Sequence, residues 1–356
     1  MDQLMLHQEG MSRAVKLVKS LKDAVQGQAG GSLSQDSSAG QILKWVHLGA
    51  KAGFKLAGYR FEQRRRGDSG IALWRLPLKK LKRGERHRRL VLIPGFGDTA
   101  LSWYPVLAIL IPLIKRHYTE IVLFDYPGFA GFLAQEECLE SFDLMLEMTH
   151  EVLDDLKPKT IIGHSLGGWV AASYGCLDAP EEKSDSRPEL ILWAPSGIFG
   201  TEEEKKSWEA LFARAQSEGL SALRPHMFHR EPFLFQWLMG ELGSFTTKPD
   251  VLKFMKSIRE DHRLEEKVSA LSSRVTLVWG DHDTLVPSAW MGAWSEVLKK
   301  KSKSPEVRSI LIKDTGHSPQ LERPTVTALV LGQLLTGSDL DRKLTKSLYS
   351  VSKTTK

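Results

Sequence analysis

Cysteine is scarce in this chain. Two thiols, Cys138 and Cys176, among 356 residues make neither a disulfide framework nor a metal set. No metal and no cofactor are therefore expected. Long apolar runs are also missing. No uninterrupted stretch approaches the roughly 18 residues that a spanning helix requires. The first residues, Met1 to His7, lack the basic start and apolar stretch of a secretory signal. Reduced thiols without a leader predict a cytoplasmic protein. The basic residues are not interleaved with stacking aromatics, so no nucleic-acid partner is expected.

What remains is the composition of a globular protein, 42% hydrophobic and 26% charged, long enough for one large core or two ordinary ones. Charge is distributed unevenly. Residues 1 to 90 hold 19 Lys and Arg against 7 Asp and Glu, a net of +12 in a chain whose total is +6. Such asymmetry predicts an anionic partner for the front of the chain. Met11, Ala14, Val15, Val18, Leu21 and Val25 recur at helical spacing, with Arg13, Lys16, Lys19 and Lys22 mainly elsewhere. A Gly/Ser/Gln linker follows from Gln26 to Gln41. The basic helix, Trp45 and the Lys/Arg cluster at 79 to 89 have two readings. One lies on an anionic membrane, peripheral on its inner surface; the other packs on the domain with its charges in water.

The pattern changes along the chain. Tyr59–Gln63 and Ile71–Leu76 read as two strands around a polar turn. From Leu90, short apolar runs recur, each ending in a loop rich in Gly, Pro or Asp: Leu90–Ile93, Ile121–Phe124, Thr160–Gly163, Leu190–Trp193, Val275–Trp279 and Val307–Ile312. Continuous apolar strands alternating with helix-length segments predict an α/β fold, a mostly parallel sheet of about eight strands with helices on both faces. About 80 residues separate Trp193 from Val275. A structureless loop of that length is improbable, so residues 198–272 are expected to form a helical lid. The expected division is an N-terminal extension over 1–54, a main domain over 55–338 containing the lid, and a basic tail over 339–356.

Four signals carry chemistry. Gly163-His164-Ser165-Leu166-Gly167 follows an apolar strand and precedes a helix-competent stretch, the setting of a nucleophile elbow with Ser165 at its tip. Trp279-Gly280-Asp281-His282-Asp283 follows the next-to-last apolar strand. A serine hydroxyl needs a base, and the base needs a carboxylate to hold its tautomer; Asp283 is the first choice and Asp281 the alternative. Gly316-His317 comes just after the last apolar strand and supplies the base, completing the chain order Ser, Asp, His. Pro94-Gly95-Phe96-Gly97-Asp98 closes the first central strand. An oxyanion requires preorganised N–H donors, and the backbone amides of Phe96 and Leu166 are the candidates.

Residues from about 55 to 338 resemble a lid-bearing α/β-hydrolase, closest in look to monoacylglycerol lipases and carboxylesterases. Pro94 to Asp98 with Trp103 resembles the oxyanion loop of that family. Asp125-Tyr126-Pro127-Gly128-Phe129 resembles the loop after the next strand, and Pro195-Ser196-Gly197 the lid entry. Two positions depart from the family pattern: Pro94-Gly95 stands where many members have His-Gly, and Gly128-Phe129-Ala130-Gly131-Phe132 replaces the usual Gly-x-Gly-x-Ser. The resemblance implies a serine hydrolase that cleaves carboxylic esters, its substrate a small-molecule or monoacylglycerol-like lipid ester. Other serine chemistry on the same scaffold (carbon–carbon hydrolase, aminopeptidase, thioesterase) and a non-catalytic binding module are the competing readings.

Within 198–272, Trp208, Leu211, Phe212, Met227, Phe228, Phe233, Phe235, Trp237, Leu238, Met239, Phe245, Phe254 and Met255 read mainly as the packing core of the lid. A roof of this kind favours medium or long acyl chains, since each buried methylene gains about 0.8 kcal/mol. Phe228 to Phe233 reads as a lid turn.

Overall fold

Runs such as Leu90-Val91-Leu92-Ile93 and Ile121-Val122-Leu123-Phe124 offer no polar face, so they fold stably only where both sides of a strand are covered. In the computed structural model they lie at the centre of a nine-stranded sheet and are fully buried. The structure describes residues 52–126, 139–177, 187–219, 222–232, 249–338 and 348–355. The chain divides into two units, Met1–Phe61 and Glu62–Lys356. The basic helix of 11–26, the linker and Trp45 lie outside the described residues, as do Cys138, the 127–132 loop and Phe233 to Phe245 of the insertion. In the first unit, the rings of Phe54 and Tyr59 pack edge-on at 4.7 Å.

The strands are β1 (Arg60–Arg66), β2 (Ser69–Pro77), β3 (Arg89–Ile93), β4 (Glu120–Asp125), β5 (Thr160–His164), β6 (Glu189–Trp193), β7 (Val275–Gly280), β8 (Glu306–Ile312) and β9 (Tyr349–Thr355). Their order across the sheet is β1-β2-β4-β3-β5-β6-β7-β8-β9. From β4 to β8 every pairing is parallel. The β2–β4 pair is antiparallel, and so is the β8–β9 pair. The helices are α1 (Tyr104–Ile114), α2 (Phe142–Leu156), α3 (Leu166–Gly175), α4 (Glu202–Glu218), α5 (Arg224–Met227), α6 (Pro249–Lys256), α7 (Trp290–Lys301), α8 (Pro319–Glu322) and α9 (Pro324–Thr336). This is the expected α/β-hydrolase fold.

The expected strand count of about eight falls one short. Tyr349–Thr355, in the segment read as a basic tail, is an edge strand paired antiparallel to β8, with Tyr349 opposite Ile312 and Val351 opposite Ile310. Only one side of an edge strand needs apolar cover. Tyr349 is buried and its hydroxyl donates to Gln333 Oε1 at 2.9 Å, while Val351 and Ser352 are exposed. Polar and charged residues on such a strand also discourage pairing with another chain.

The basic stretch before β3 is partly neutralised within the molecule. Arg75 and Arg89 both bond Glu120, Nε to carboxylate at 2.9 and 2.8 Å, and Lys79 pairs with Glu85. Burial pushes the Glu120 carboxyl up, but its two arginine partners outweigh this and hold it below the ordinary glutamate range. Lys80, Lys82, Arg83 and Arg86 stay exposed.

Between β6 and β7 the regular elements of the insertion, among the described residues, are helices. The first of its helices, α4, starts at Thr201, whose Oγ accepts from Glu204 N at 3.2 Å while Glu204 Oε2 accepts from Thr201 N at 2.8 Å, a reciprocal capping box. The C-terminal end of the insertion is anchored by His262. Its Nδ1 accepts from Arg259 N at 2.9 Å, its Nε2 lies 2.9 Å from Asp143 Oδ1 on α2, and its carbonyl accepts from Trp169 Nε1 on α3 at 2.9 Å.

Candidate active site

Ser165 stands between the end of β5 and the start of α3, with φ +53° and ψ −117°. A non-glycine residue at positive φ is strained, and the flanking contacts hold it there. Ser165 N donates to Trp193 O on β6 at 2.8 Å, and its carbonyl accepts from Gly168 N and Trp169 N at 2.9 and 3.1 Å. The glycines of the motif are required by close approach. A Cβ on Gly163 would sit 2.3 Å from Gly167 O, and a Cβ on Gly167 would sit 2.4 Å from the carbonyl oxygens of Ile93 and Pro94. The two glycines therefore let β3, β5 and α3 converge and lift the serine out of the turn.

His317 follows β8, and Asp283 follows β7. Both are buried, and His317 Nδ1 lies 2.8 Å from Asp283 Oδ2. The other carboxylate oxygen, Oδ1, accepts from the amides of Leu285 and Val286, each at 3.0 Å. These contacts hold the Asp283 carboxylate and the His317 ring in a fixed mutual orientation. Asp281, the alternative acid, faces elsewhere: its Oδ1 accepts from Thr315 N at 3.2 Å. The backbone of His317 is also held, its amide donating to Met227 O at 3.0 Å.

The loop after β3 closes over Ser165. A Cβ on Gly95 would lie 3.1 Å from Ser165 Cβ and 3.2 Å from His164 Nδ1. Phe96 and Leu166 line the same cavity as Ser165. Leu166 is the first residue of α3, where an amide has no acceptor inside its own helix.

That cavity has a volume of about 500 Å³. Ser165, Leu166, Trp169, Ser196 and Phe96 line it from the hydrolase core. Phe199, Trp208, Phe212, Met255 and Ile258 line it from the insertion, together with Lys205, Arg259 and Arg263. Trp208 and Phe212, expected mainly as packing core, are half-buried, and their rings pack 4.1 Å apart, tilted by 36°, on the cavity wall. Phe254 meets the expectation of a core residue, being fully buried against Phe142 and Phe96. The cations are balanced locally: Arg259 pairs with Asp143 and Asp261, Arg263 with Glu260 and Glu265, and Lys205 with Glu260.

Two supporting networks escaped the sequence. His164 is buried, and its Nε2 lies 2.9 Å from the carbonyl of His317, so it donates there. Its Nδ1 faces Gln320 Nε2 at 3.4 Å and Asp98 Oδ2 at 3.7 Å. Asp98 in turn accepts from Ser102 Oγ at 2.9 Å. This chain joins the β3 loop to the His317 loop. His164 sat inside the recognised motif, but nothing in its spacing showed which way the ring turned. The second network centres on Glu322. Its Oε1 accepts from Gly316 N at 2.8 Å, and its Oε2 accepts from His229 N and Arg230 N at 3.0 and 2.9 Å. It thereby ties the insertion turn at 228–230 to the residue preceding His317. Burial raises its carboxyl above the usual range despite these bonds.

Comparison with known proteins bears on the fold and the family. The chain is 23% identical over 256 residues to an uncharacterized hydrolase, YugF, of Bacillus subtilis, covering 66% of this chain and 85% of that protein. It is 24% identical over 259 residues to a pimeloyl-[acyl-carrier protein] methyl ester esterase of Yersinia enterocolitica, covering 68% of this chain and 90% of that one. Among solved structures, a membrane phospholipase A described as a bacterial virulence factor superposes with a TM-score of 0.60 at 20% identity, covering 92% of this chain and 99% of that chain. The sequence matches the alpha/beta hydrolase family over residues 90–328, well over half of its length, and the chain belongs to that family.

Proposed function

We propose that the protein is a serine hydrolase that cleaves carboxylic esters through an acyl-enzyme. In this reading Ser165 is the nucleophile, His317 the general base and Asp283 the carboxylate that orients it. The 2.8 Å contact between Asp283 Oδ2 and His317 Nδ1 carries the assignment. It supports a neutral imidazole protonated at Nδ1, whose Nε2 takes the hydroxyl proton as Ser165 Oγ attacks the ester carbonyl. The carbonyl oxygen gains charge and is met by the amides of Phe96 and Leu166. His317 then returns the proton to the departing alcohol. Water repeats the sequence on the acyl-enzyme, releasing the acid and restoring Ser165.

The aromatic and methionine lining of the 500 Å³ cavity supports a substrate with an apolar acyl chain, and a monoacylglycerol-like lipid ester fits it. In this role the insertion acts as a lid. Ester-cleaving relatives add weight at the level of reaction type. The test is a series of p-nitrophenyl esters of increasing chain length, run with wild type and Ser165→Ala. The expected result is a preference for medium or long chains in wild type and loss of activity by several orders of magnitude in the variant. Retention of a tenth of wild-type turnover by Ser165→Ala would refute the assignment.

A further inference from the structure

Three side chains far apart in sequence meet on the outer side of the Asp283 and His317 loops. His229 comes from the insertion turn after α5, His282 from the loop after β7, and Asp314 from the loop after β8. One ligand-capable atom from each lies within 4.8 Å of the other two, and all three residues are exposed. The imidazoles of His229 and His282 stack at 3.9 Å with 11° between their planes. Among the described residues neither ring nitrogen of His229 makes a hydrogen bond, and His282 Nε2 lies 3.8 Å from Asp281 Oδ1. Asp314 sits at φ +53°, a costly position for a residue with a side chain, and its Oδ2 stands 3.6 Å from Arg323 Nη1.

We infer that His229, His282 and Asp314 form a binding site for a divalent transition-metal ion of the zinc class. Two imidazoles and one carboxylate are a ligand set that zinc accepts, with bonds of about 2.0–2.2 Å and a fourth position left for water. Tetrahedral ligands at that length stand about 3.4 Å apart, so the three side chains close inward on binding. Their exposure permits that movement, because only side-chain torsions change. The backbone beneath them is already fixed. His282 N donates to Thr315 O at 2.9 Å, linking the β7 and β8 loops. Glu322 ties the His229 amide to Gly316. A Cβ on Gly316 would come within 2.6 Å of His229 N, which shows how closely the insertion turn packs there. Ligands carried on cross-tied loops are preorganised, and Asp281 stands ready as an outer carboxylate for His282.

The consequence of occupancy follows from position. His282 directly precedes Asp283, Asp314 lies three residues before His317, and His229 belongs to the insertion. A bound ion would clip the insertion turn to both loops. On the reading of Ser165, His317 and Asp283 given above, hydrolysis would then respond to the metal without the ion touching the reacting atoms.

Binding is measured first, independently of any activity. Full-length protein, freed of metal by chelator and dialysis, is titrated calorimetrically with ZnCl₂. Cobalt(II) is added separately and its visible absorption recorded. The expected result is one saturable equivalent with the intense bands of a four-coordinate cobalt site. The double variant H229A/H282A should bind more than about 100-fold more weakly, exceeding the effect of losing an outer partner, and Asp314→Asn should weaken binding less. Thermal melts check that the variants remain folded. Ester hydrolysis should change with zinc in wild type and be insensitive to it in His229→Ala. No saturable binding, or binding undiminished in the double variant, would overturn the site. A wild type whose hydrolysis does not respond to zinc, or a zinc response that persists in His229→Ala, would overturn the coupling.

Discussion

Asp283 and His317 are separated by 34 positions in sequence, yet Oδ2 of one stands 2.8 Å from Nδ1 of the other, both fully enclosed. Parallel pairing of β7 with β8 brings their carboxyl ends to the same edge of the sheet, and the loops that leave those ends carry the two residues. Asp281 leaves the same strand end but turns to the Thr315 amide.

Replacing Asp283 with Asn should lower kcat by about 10⁴-fold with little change in stability, because an amide no longer enforces the productive tautomer. Asp281→Asn should be far milder, since an amide oxygen still accepts from Thr315 N. Steady-state kinetics of both variants on a soluble ester check this. A severe Asp281→Asn beside a mild Asp283→Asn would reverse the roles.

Gly167→Ala should be destabilising as well as inactivating. The added methyl meets two backbone carbonyls at 2.4 Å, atoms that cannot rotate away. Overpacking of this kind costs about 1–3 kcal/mol, read as a lowered midpoint in thermal or urea unfolding. A variant as stable as wild type would mean that the β3–α3 approach is looser than described.

The central strands and the site loops were legible in the sequence for a physical reason. A strand buried on both faces has to be apolar throughout, and a tight turn beneath Ser165 has to place glycine where backbones touch. The features that were missed obey neither constraint. Tyr349–Thr355 forms an edge strand with one covered side, so its polar residues gave no apolar run. Glu322 acts by accepting three backbone amides, and backbone partners leave no trace in residue type. Trp208 and Phe212 were visible as apolar residues, but wall and core use the same side chains. Only the placement of α4 over Ser165 distinguishes them.

Trp208→Ala should change chain-length preference more than it changes chemistry. Trp208 lines the cavity and packs against Phe212. Each methylene that loses an apolar partner forfeits up to about 0.8 kcal/mol, nearly fourfold in kcat/KM. The preference for longer p-nitrophenyl esters should flatten, with short esters little affected. An unchanged profile would place the acyl chain elsewhere.

Deleting residues 1 to 40 should leave hydrolysis of soluble esters nearly unchanged and reduce binding to anionic vesicles, more so at low salt. Arg13, Lys16, Lys19 and Lys22 each contribute about 1 kcal/mol near a negatively charged surface, an attraction that salt screens. Co-sedimentation of full-length and truncated protein with vesicles at two ionic strengths measures it. Equal sedimentation of both forms would assign the helix to packing or solvent.

An activated Ser165 nucleophile should react with a fluorophosphonate. Treating the full-length protein with a fluorophosphonate and mapping the adduct by peptide mass spectrometry tests it without knowledge of the natural substrate. The expected result is one phosphonyl group on the peptide containing Gly163-His164-Ser165-Leu166-Gly167, at Ser165, with labelling strongly slowed in Asp283→Asn. Folded protein that stays unlabelled, or that carries the adduct on another residue, would contradict this role for Ser165.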